Sequence, residues 1–425
     1  MNNIFQKVMR NATRLTRDGR LSEATREILR ALNPQGSAPP PVGSTTQSGS
    51  ANASPAGALR PIKPIRPTPV TLDAMPTVPG GNQFEVDMRN SEAEQTDSVE
   101  PAQSQAPDLH AAAPFSTAAD FTDVDFDANG ATREGEFVGG THTYLLKTLR
   151  YKLYSPPVND IRPRPLIVML HGCTQSPDDF AAGTGMNTIA RAQGFYVLYP
   201  EQSQRANSSR CWNWFQPNDQ TRDRGEPAFI ASITQAVMSQ HNIDPLRVYI
   251  AGLSAGGAMA AIVAEVFPEI FAAVGVHSGL RRGAASSVID ALTVMRTGNV
   301  APTRAALRMH ASVPTIVFHG DNDQTVHPRH GEHVVTAVLT SDNAKQWNMK
   351  PASNPQIESG TSTKGRRYTR TSHHDATGRP MLEHWLVHGA GHAWSGGSEN
   401  GSYTDAKGPN ASDEMIRFFM SNPLA

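Results

Sequence analysis

The chain has 425 residues, with 38 Lys and Arg against 39 Asp and Glu, a formal net charge of −1. That balance argues against a nucleic-acid binder that relies on a broad basic field. Two cysteines, Cys173 and Cys211, exclude a multiply stapled scaffold and a four-cysteine zinc site, and no window approaches the roughly 18 consecutive apolar residues that a membrane-spanning helix needs.

Residues 1–33 read as a short basic helical segment. Leu21, Ala24, Ile28 and Leu32 recur at helical spacing, Ser22 is a suitable N-cap, and Asp18-Gly19-Arg20 divides the segment in two. Lys7, Arg10, Arg14, Arg17, Arg20, Arg26 and Arg30 outweigh Asp18, Glu23 and Glu27. One reading is a docking helix for a partner or an anionic surface. The other is a marginal hairpin with a solvated charged face, and it is favoured because such short helices need packing partners. The segment lacks the apolar core and small-residue cleavage site of a secretory signal, so a cytoplasmic location is expected.

Residues 34–120 read as a disordered linker. From Pro34 to Pro114 the one aromatic residue is Phe84, and Pro39-Pro40-Pro41 and the run Arg60 to Pro67 alternate proline with little that can be buried. Glu85 to Glu100 is acidic and polar. A compact domain is expected over residues 121–425. Tyr144 to Tyr154 reads as strand, and Leu166-Ile167-Val168-Met169-Leu170 as a central strand buried on both faces. Helix is expected over Met186 to Gln193, Pro227 to Gln240, Ala255 to Val266 and Asp413 to Met420. Further strands are expected over Phe195 to Tyr199, Arg247 to Ala251, Ala272 to Val276, Thr315 to Phe318 and Met381 to Val387. Strands alternating with helices at this spacing give an α/β fold, a mostly parallel sheet with helices on both faces.

The strongest local signal is Gly252-Leu253-Ser254-Ala255-Gly256, between a strand and a helix. A sharp strand-to-helix turn lifts a serine hydroxyl clear of the sheet, and the helix N-terminus aims free amides at whatever the serine attacks. Ser254 is therefore the candidate nucleophile. It needs a base and an orienting acid, which follow in the order acid, then histidine. Asp323 lies in the loop after the strand ending at Phe318, and His392 lies in the Gly389-Ala390-Gly391 loop after Val387. Asp321 is the alternative acid. His384, His388 and His392 stand four apart, but on a strand running into a glycine loop they do not converge on a metal. His319 and His388 read as loop-packing residues, and His373-His374-Asp375 as a solvated polar turn.

An oxyanion hole needs two backbone amides. Ala255, next to the serine, supplies one. Cys173, in His171-Gly172-Cys173-Thr174-Gln175 after the first buried strand, supplies the other. Cys173 and Cys211 either stay free as small buried hydrophobes or pair, clamping the aromatic loop beside the site. Trp212, Trp214 and Trp394 are candidate walls of a substrate groove, or simply pack their loops.

Taken together, the segments His171 to Gln175, Cys211-Trp212-Asn213-Trp214-Phe215, Gly252 to Gly257, His277-Ser278-Gly279-Leu280 and Gly389 to Trp394 closely resemble the poly(3-hydroxybutyrate) depolymerase family of esterases. The likeness runs from about Tyr144 to the C-terminus, and the basic segment Ala12 to Thr25 is similar to a leader on many bacterial members. The resemblance implies an α/β-hydrolase domain that hydrolyses carboxylic esters without metal or organic cofactor. It implies Ser, Asp and His at Ser254, Asp323 and His392, and a cysteine amide at Cys173. The family's relatives include feruloyl and acetyl-xylan esterases, so the polymer is not fixed by it. Secreted depolymerases carry a signal peptide and often a separate binding domain. Neither is evident, which counts against attack on external crystalline polymer. The expectation is a serine esterase acting on a hydroxyalkanoate polyester or oligomer. A carbohydrate esterase is the alternative, and a granule- or surface-tethered binding protein is the rival from another class.

Overall fold

The structure, a computed structural model, describes residues 134–157, 161–300, 312–347 and 355–424. All of these belong to one of the chain's two units; the other, residues 33–114, lies outside the described residues. The expected N-terminal helices and the whole of the expected linker fall outside them, as do residues 121–133 of the expected domain.

One ten-stranded sheet carries the fold. In chain order its strands are β1 (Glu136–Tyr144), β2 (Lys147–Ser155), β3 (Arg164–Leu170), β4 (Tyr196–Glu201), β5 (Ile243–Leu253), β6 (Ala273–His277), β7 (Thr315–Gly320), β8 (Gln356–Thr361), β9 (Arg367–His374) and β10 (Pro380–Val387). Their spatial order is β1-β2-β4-β3-β5-β6-β7-β10-β9-β8. The six central strands run parallel. An antiparallel hairpin closes each edge. A small parallel pair joins β11 (Trp394–Ser395) to β12 (Thr404–Asp405).

Alternation along β3 divides the core in two. Leu166, Val168 and Leu170 face one layer, where α3 (Gly225–Gln240) and α4 (Ala255–Val266) bring Ile230, Ile233, Ile262 and Val263. Ile167 and Met169 face the other, where α1 (Pro177–Thr184), α2 (Met186–Gln193) and α8 (Ala411–Met420) bring Phe180, Met186, Met415, Phe418 and Phe419. Side chains of successive strand residues point to opposite faces, so an unbroken apolar run is what a strand covered on both sides requires. Three further α-helices are α5 (Val288–Thr297), α6 (Arg329–Leu339) and α7 (Asp342–Gln346). This is the α/β-hydrolase architecture.

Two expectations need correction. Tyr144 to Tyr154 is not one strand. The chain turns back at Leu145 and Leu146, both at positive φ (45° and 65°), and Tyr144 and Lys147 pair as the last residues of β1 and the first of β2. The polar, half-exposed residues of β1 conceal its strand character. His373 and His374 close β9 and are half-buried, not a solvated turn; the turn begins at Asp375, whose carboxylate accepts from the Thr377 and Arg379 amides.

The central strands leave no room where α4 meets β3. A Cβ on Gly256 would lie 2.1 Å from the Leu170 carbonyl oxygen and 2.6 Å from that of His171, both fixed backbone atoms. We predict that Gly256→Ala destabilises the fold by about 1–3 kcal/mol through overpacking. Gly391→Ala, where a Cβ meets nothing within 4 Å, should change stability by no more than about 0.5 kcal/mol. Urea unfolding of both variants checks the contrast, and equal midpoints would contradict it.

Candidate active site

Strand register brings the candidate residues to one rim. Leu253, His277 and Phe318 are paired across β5, β6 and β7, and Phe318 pairs onward with Trp385 of β10. Ser254 follows Leu253 directly. Asp323 sits three residues beyond the end of β7 and His392 five beyond the end of β10. All three therefore leave the C-terminal ends of parallel strands, where open α/β sheets place their ligands.

Ser254 is held at φ 58°, ψ −119°, a conformation that costs a non-glycine residue about 1–3 kcal/mol. The surroundings enforce it. The Ser254 amide donates to the His277 carbonyl (2.9 Å), and its own carbonyl accepts from the Ala258 amide (2.9 Å). A Cβ on Gly252 would collide with the Gly256 backbone at 2.4 Å, so the turn closes only with glycine there.

The acid and the imidazole are joined. His392 Nδ1 and Asp323 Oδ2 are 2.6 Å apart, with the carboxylate fully buried. Asp323 Oδ1 accepts from the amides of Thr325 and Val326, both at 2.9 Å. Burial alone would raise the Asp323 carboxyl. The charge of His392 and the hydrogen bonds of His319 and His392 outweigh it and hold the acid far below the usual carboxylate range. With Nδ1 engaged, His392 keeps Nε2 free of any protein partner among the described residues. No direct hydrogen bond joins that nitrogen to the Ser254 hydroxyl.

The alternative acid has its own partner. Asp321 Oδ2 lies 2.9 Å from His388 Nδ1, and its other oxygen accepts from the Gly389 amide (2.6 Å). His388 Nε2 in turn meets Thr369 Oγ1 at 2.9 Å. Asp321 and His388 thus pin the start of the loop that carries His392. His277 pins its end: Nε2 accepts from the Ser395 amide (2.9 Å), and the ring stacks on Trp394 at 5.0 Å. Burial, helped by the neighbouring charges of His319 and His392, keeps His277 well below the usual imidazole range and so neutral, as an acceptor at Nε2 must be. Among the described residues no three acids, histidines or cysteines are placed to hold a metal.

The Gly172 loop packs directly on the serine: a Cβ on Gly172 would stand 3.7 Å from Ser254 Cβ. Gln175, itself buried, accepts from the Gly172 amide (2.9 Å) and donates to Asp179 (3.0 Å). The amides of Cys173 and Ala255 bond to no protein acceptor among the described residues; for Ala255 this is what the first turn of a helix leaves.

Cys173 and Cys211 are joined in a disulfide with their Cα atoms 4.2 Å apart. The three tryptophans correct an expectation. Trp212 is 1%, Trp214 4% and Trp394 1% exposed, so none offers a face to a substrate. Trp212 Nε1 donates to the His171 carbonyl (3.1 Å) and Trp394 Nε1 to Ser412 Oγ (3.0 Å), so their polar edges are spent inside the core. They pack the loops instead of lining a groove.

Sequence reasoning missed Glu226, at the start of α3. Its buried carboxylate accepts from the Asn213 amide (2.7 Å), Asn213 Nδ2 (2.6 Å) and Gln202 Nε2 (2.5 Å). Gln202 donates its amide to His171 Nε2 (3.1 Å), so one acid ties the Cys211–Trp214 loop to the strand end beside Cys173. No local pattern marks such a contact; an acid in the first turn of an apolar helix reads simply as helix-dipole complement.

Burial, reinforced by the Asp219 charge and opposed by hydrogen bonds from Asn213 and Gln202, pushes Glu226 up to about 7 from 4.5. A carboxyl raised in the folded state binds its proton more tightly there than in the unfolded chain. Its contribution to stability is whole below about pH 4.5 and is lost as pH climbs to 7. Glu226→Gln should therefore gain on the wild type across that window, by on the order of 3 kcal/mol. Parallel denaturation of the two proteins at pH 5 and pH 8 measures it; a constant difference would contradict the assignment.

Comparison with known proteins fits this geometry. The family model for esterase PHB depolymerase matches residues 149–347. Poly(3-hydroxyalkanoate) depolymerase C of Paucimonas lemoignei is 32% identical over 263 residues, 60% of this chain and 59% of that protein. Feruloyl esterase B of Thermothelomyces thermophilus is 28% identical over 256 residues, 56% of this chain and 82% of that protein. The chain spans less than two thirds of the length of the curated depolymerases it matches. The solved acetyl xylan esterase from Aspergillus awamori superimposes with a TM-score of 0.52 at 19% identity, over 67% of this chain and 99% of that one, a likeness of fold.

Proposed function

Since residues 149–347 match the family model for esterase PHB depolymerase, we propose that the protein is a serine esterase of that family that cleaves carboxylic esters of hydroxyalkanoate polyesters or their oligomers through an acyl-enzyme. The observation that carries this reading is the strained turn that presents Ser254 beside two uncommitted amides.

In this reading His392 Nε2 takes the proton as the Ser254 hydroxyl attacks the ester carbonyl. Asp323, ionised and bonded to Nδ1, fixes the imidazole tautomer and stabilises its cationic form. The Cys173 and Ala255 amides receive the tetrahedral oxyanion. Neither amide has a protein acceptor to give up among the described residues, and one such donor is typically worth about 3–4 kcal/mol. The imidazolium returns its proton to the leaving alcohol, and water then attacks the acyl-enzyme by the same relay.

The test is hydrolysis of p-nitrophenyl acetate and of 3-hydroxybutyrate oligomers. Ser254→Ala should abolish both while leaving the unfolding midpoint unchanged, and Asp323→Asn should cost roughly four orders of magnitude in kcat. Retained turnover in Ser254→Ala would refute the assignment. The length over which feruloyl esterase B is matched makes methyl ferulate the informative competitor. Faster release of ferulate than of 3-hydroxybutyrate would move the substrate class to cell-wall esters.

A further inference from the structure

Beside the oxyanion loop lies an open cavity of about 380 Å³, lined in part by Thr148, Arg150, Glu201, Ser203, Arg205 and Arg210. Its charge is lopsided. Glu201 is neutralised by Arg150, with Oε1 and the guanidinium 2.7 Å apart. Arg205 and Arg210 have no acidic partner and no hydrogen-bond acceptor for their guanidinium groups among the described residues.

The cavity is tied to the proposed reaction centre on two sides. Arg210 immediately precedes Cys211, whose disulfide holds Cys173, and the Thr174 amide donates to the Ser209 carbonyl at 2.7 Å. Arg210 is itself held at positive φ (52°), as is Thr174 (68°), so this corner is built in a fixed shape. On the other side, Glu201 ends β4 and Ser203 follows Gln202, which bonds His171. Only β3 lies between β4 and β5. Glu201, on the cavity wall, therefore ends a strand two spacings, about 10 Å, from the strand that leads into Ser254.

A paired set of guanidinium groups without counter-ions recognises a planar anion, and a carboxylate matches their fork geometry. The interior of a polyester chain carries no charge. Its one anionic group is the carboxylate at its acid end, and that end lies on the alcohol side of every ester bond in the chain. We propose that Arg205 and Arg210 bind the free terminal carboxylate of a short hydroxyacid oligomer, on the leaving-group side of the scissile ester. This rests on the esterase reading above and narrows it, making the preferred substrate a free-acid oligomer or chain end. The ester C–O bond breaks, the hydroxyl-end fragment remains as the acyl group on Ser254, and the fragment bearing the carboxylate departs as the alcohol.

The test compares the dimer and trimer of 3-hydroxybutyrate as free acids with their methyl esters, using the full chain. The wild type should favour the free acid at least tenfold in kcat/KM. The double variant Arg205→Gln, Arg210→Gln should bring that ratio near one, chiefly through KM. Arg205→Gln alone, at an exposed position, should lower it partway and guards against a folding defect at Arg210. A wild-type ratio near one, or a ratio unmoved in both variants, overturns the inference. p-Nitrophenyl acetate, which has no carboxylate, separates the two claims. If it is turned over while the ratio is one, only the carboxylate site fails; if it is not turned over, the esterase reading fails and this site with it.

Discussion

Everything at the rim depends on how closely three backbone segments approach one another. The first turn of α4 rests on the carbonyls of Leu170 and His171, the Gly172 loop rests on Ser254, and the serine amide is tied to His277. Side chains at Gly252 or Gly256 would push these segments apart. Because they do not, Ser254 is forced into a conformation that an isolated chain would avoid, and the strain is borne by a core buried on both faces of the sheet. A hydroxyl fixed this way cannot turn back into the sheet.

The two loops that meet the serine are secured by different means. The His392 loop is flexible by composition, yet Asp321 and His388 hold its beginning, the Asn322 amide holds Ala390 (3.0 Å), and His277 holds Ser395. The Gly172 loop is held by Gln175, by the disulfide to Cys211 and, through Gln202, by the buried Glu226. Gln175, Gln202 and His277 are buried polar groups whose hydrogen bonds are met inside the fold, where a lost partner costs more than the bond itself yields. The position of the serine is thus set by residues spread over several elements.

The central strands and the serine turn were legible because local composition determines them. Leu166 to Leu170 is apolar on both faces, and the helix Ala255 to Val266 is read with its observed bounds. What escaped was at the edges or at long range. β1, β8 and β9 are polar and half-exposed, so alternation is blurred. Asp321 reads as a spare acid until its histidine, 67 residues on, is brought to it. The tryptophans misled because aromatic residues in a loop look alike whether they line a groove or fill a core. Only burial and the bonds of their indole nitrogens distinguish the two. The state of Cys173 and Cys211 likewise needed the distance between them.

The most direct measurement is covalent. Treatment of the full chain with diisopropyl fluorophosphate, followed by intact mass and peptide mapping, should show one phosphoryl group, carried on Ser254, and none in Ser254→Ala. A label on another residue, or no label on a folded protein, would contradict the assignment of Ser254 as the nucleophile.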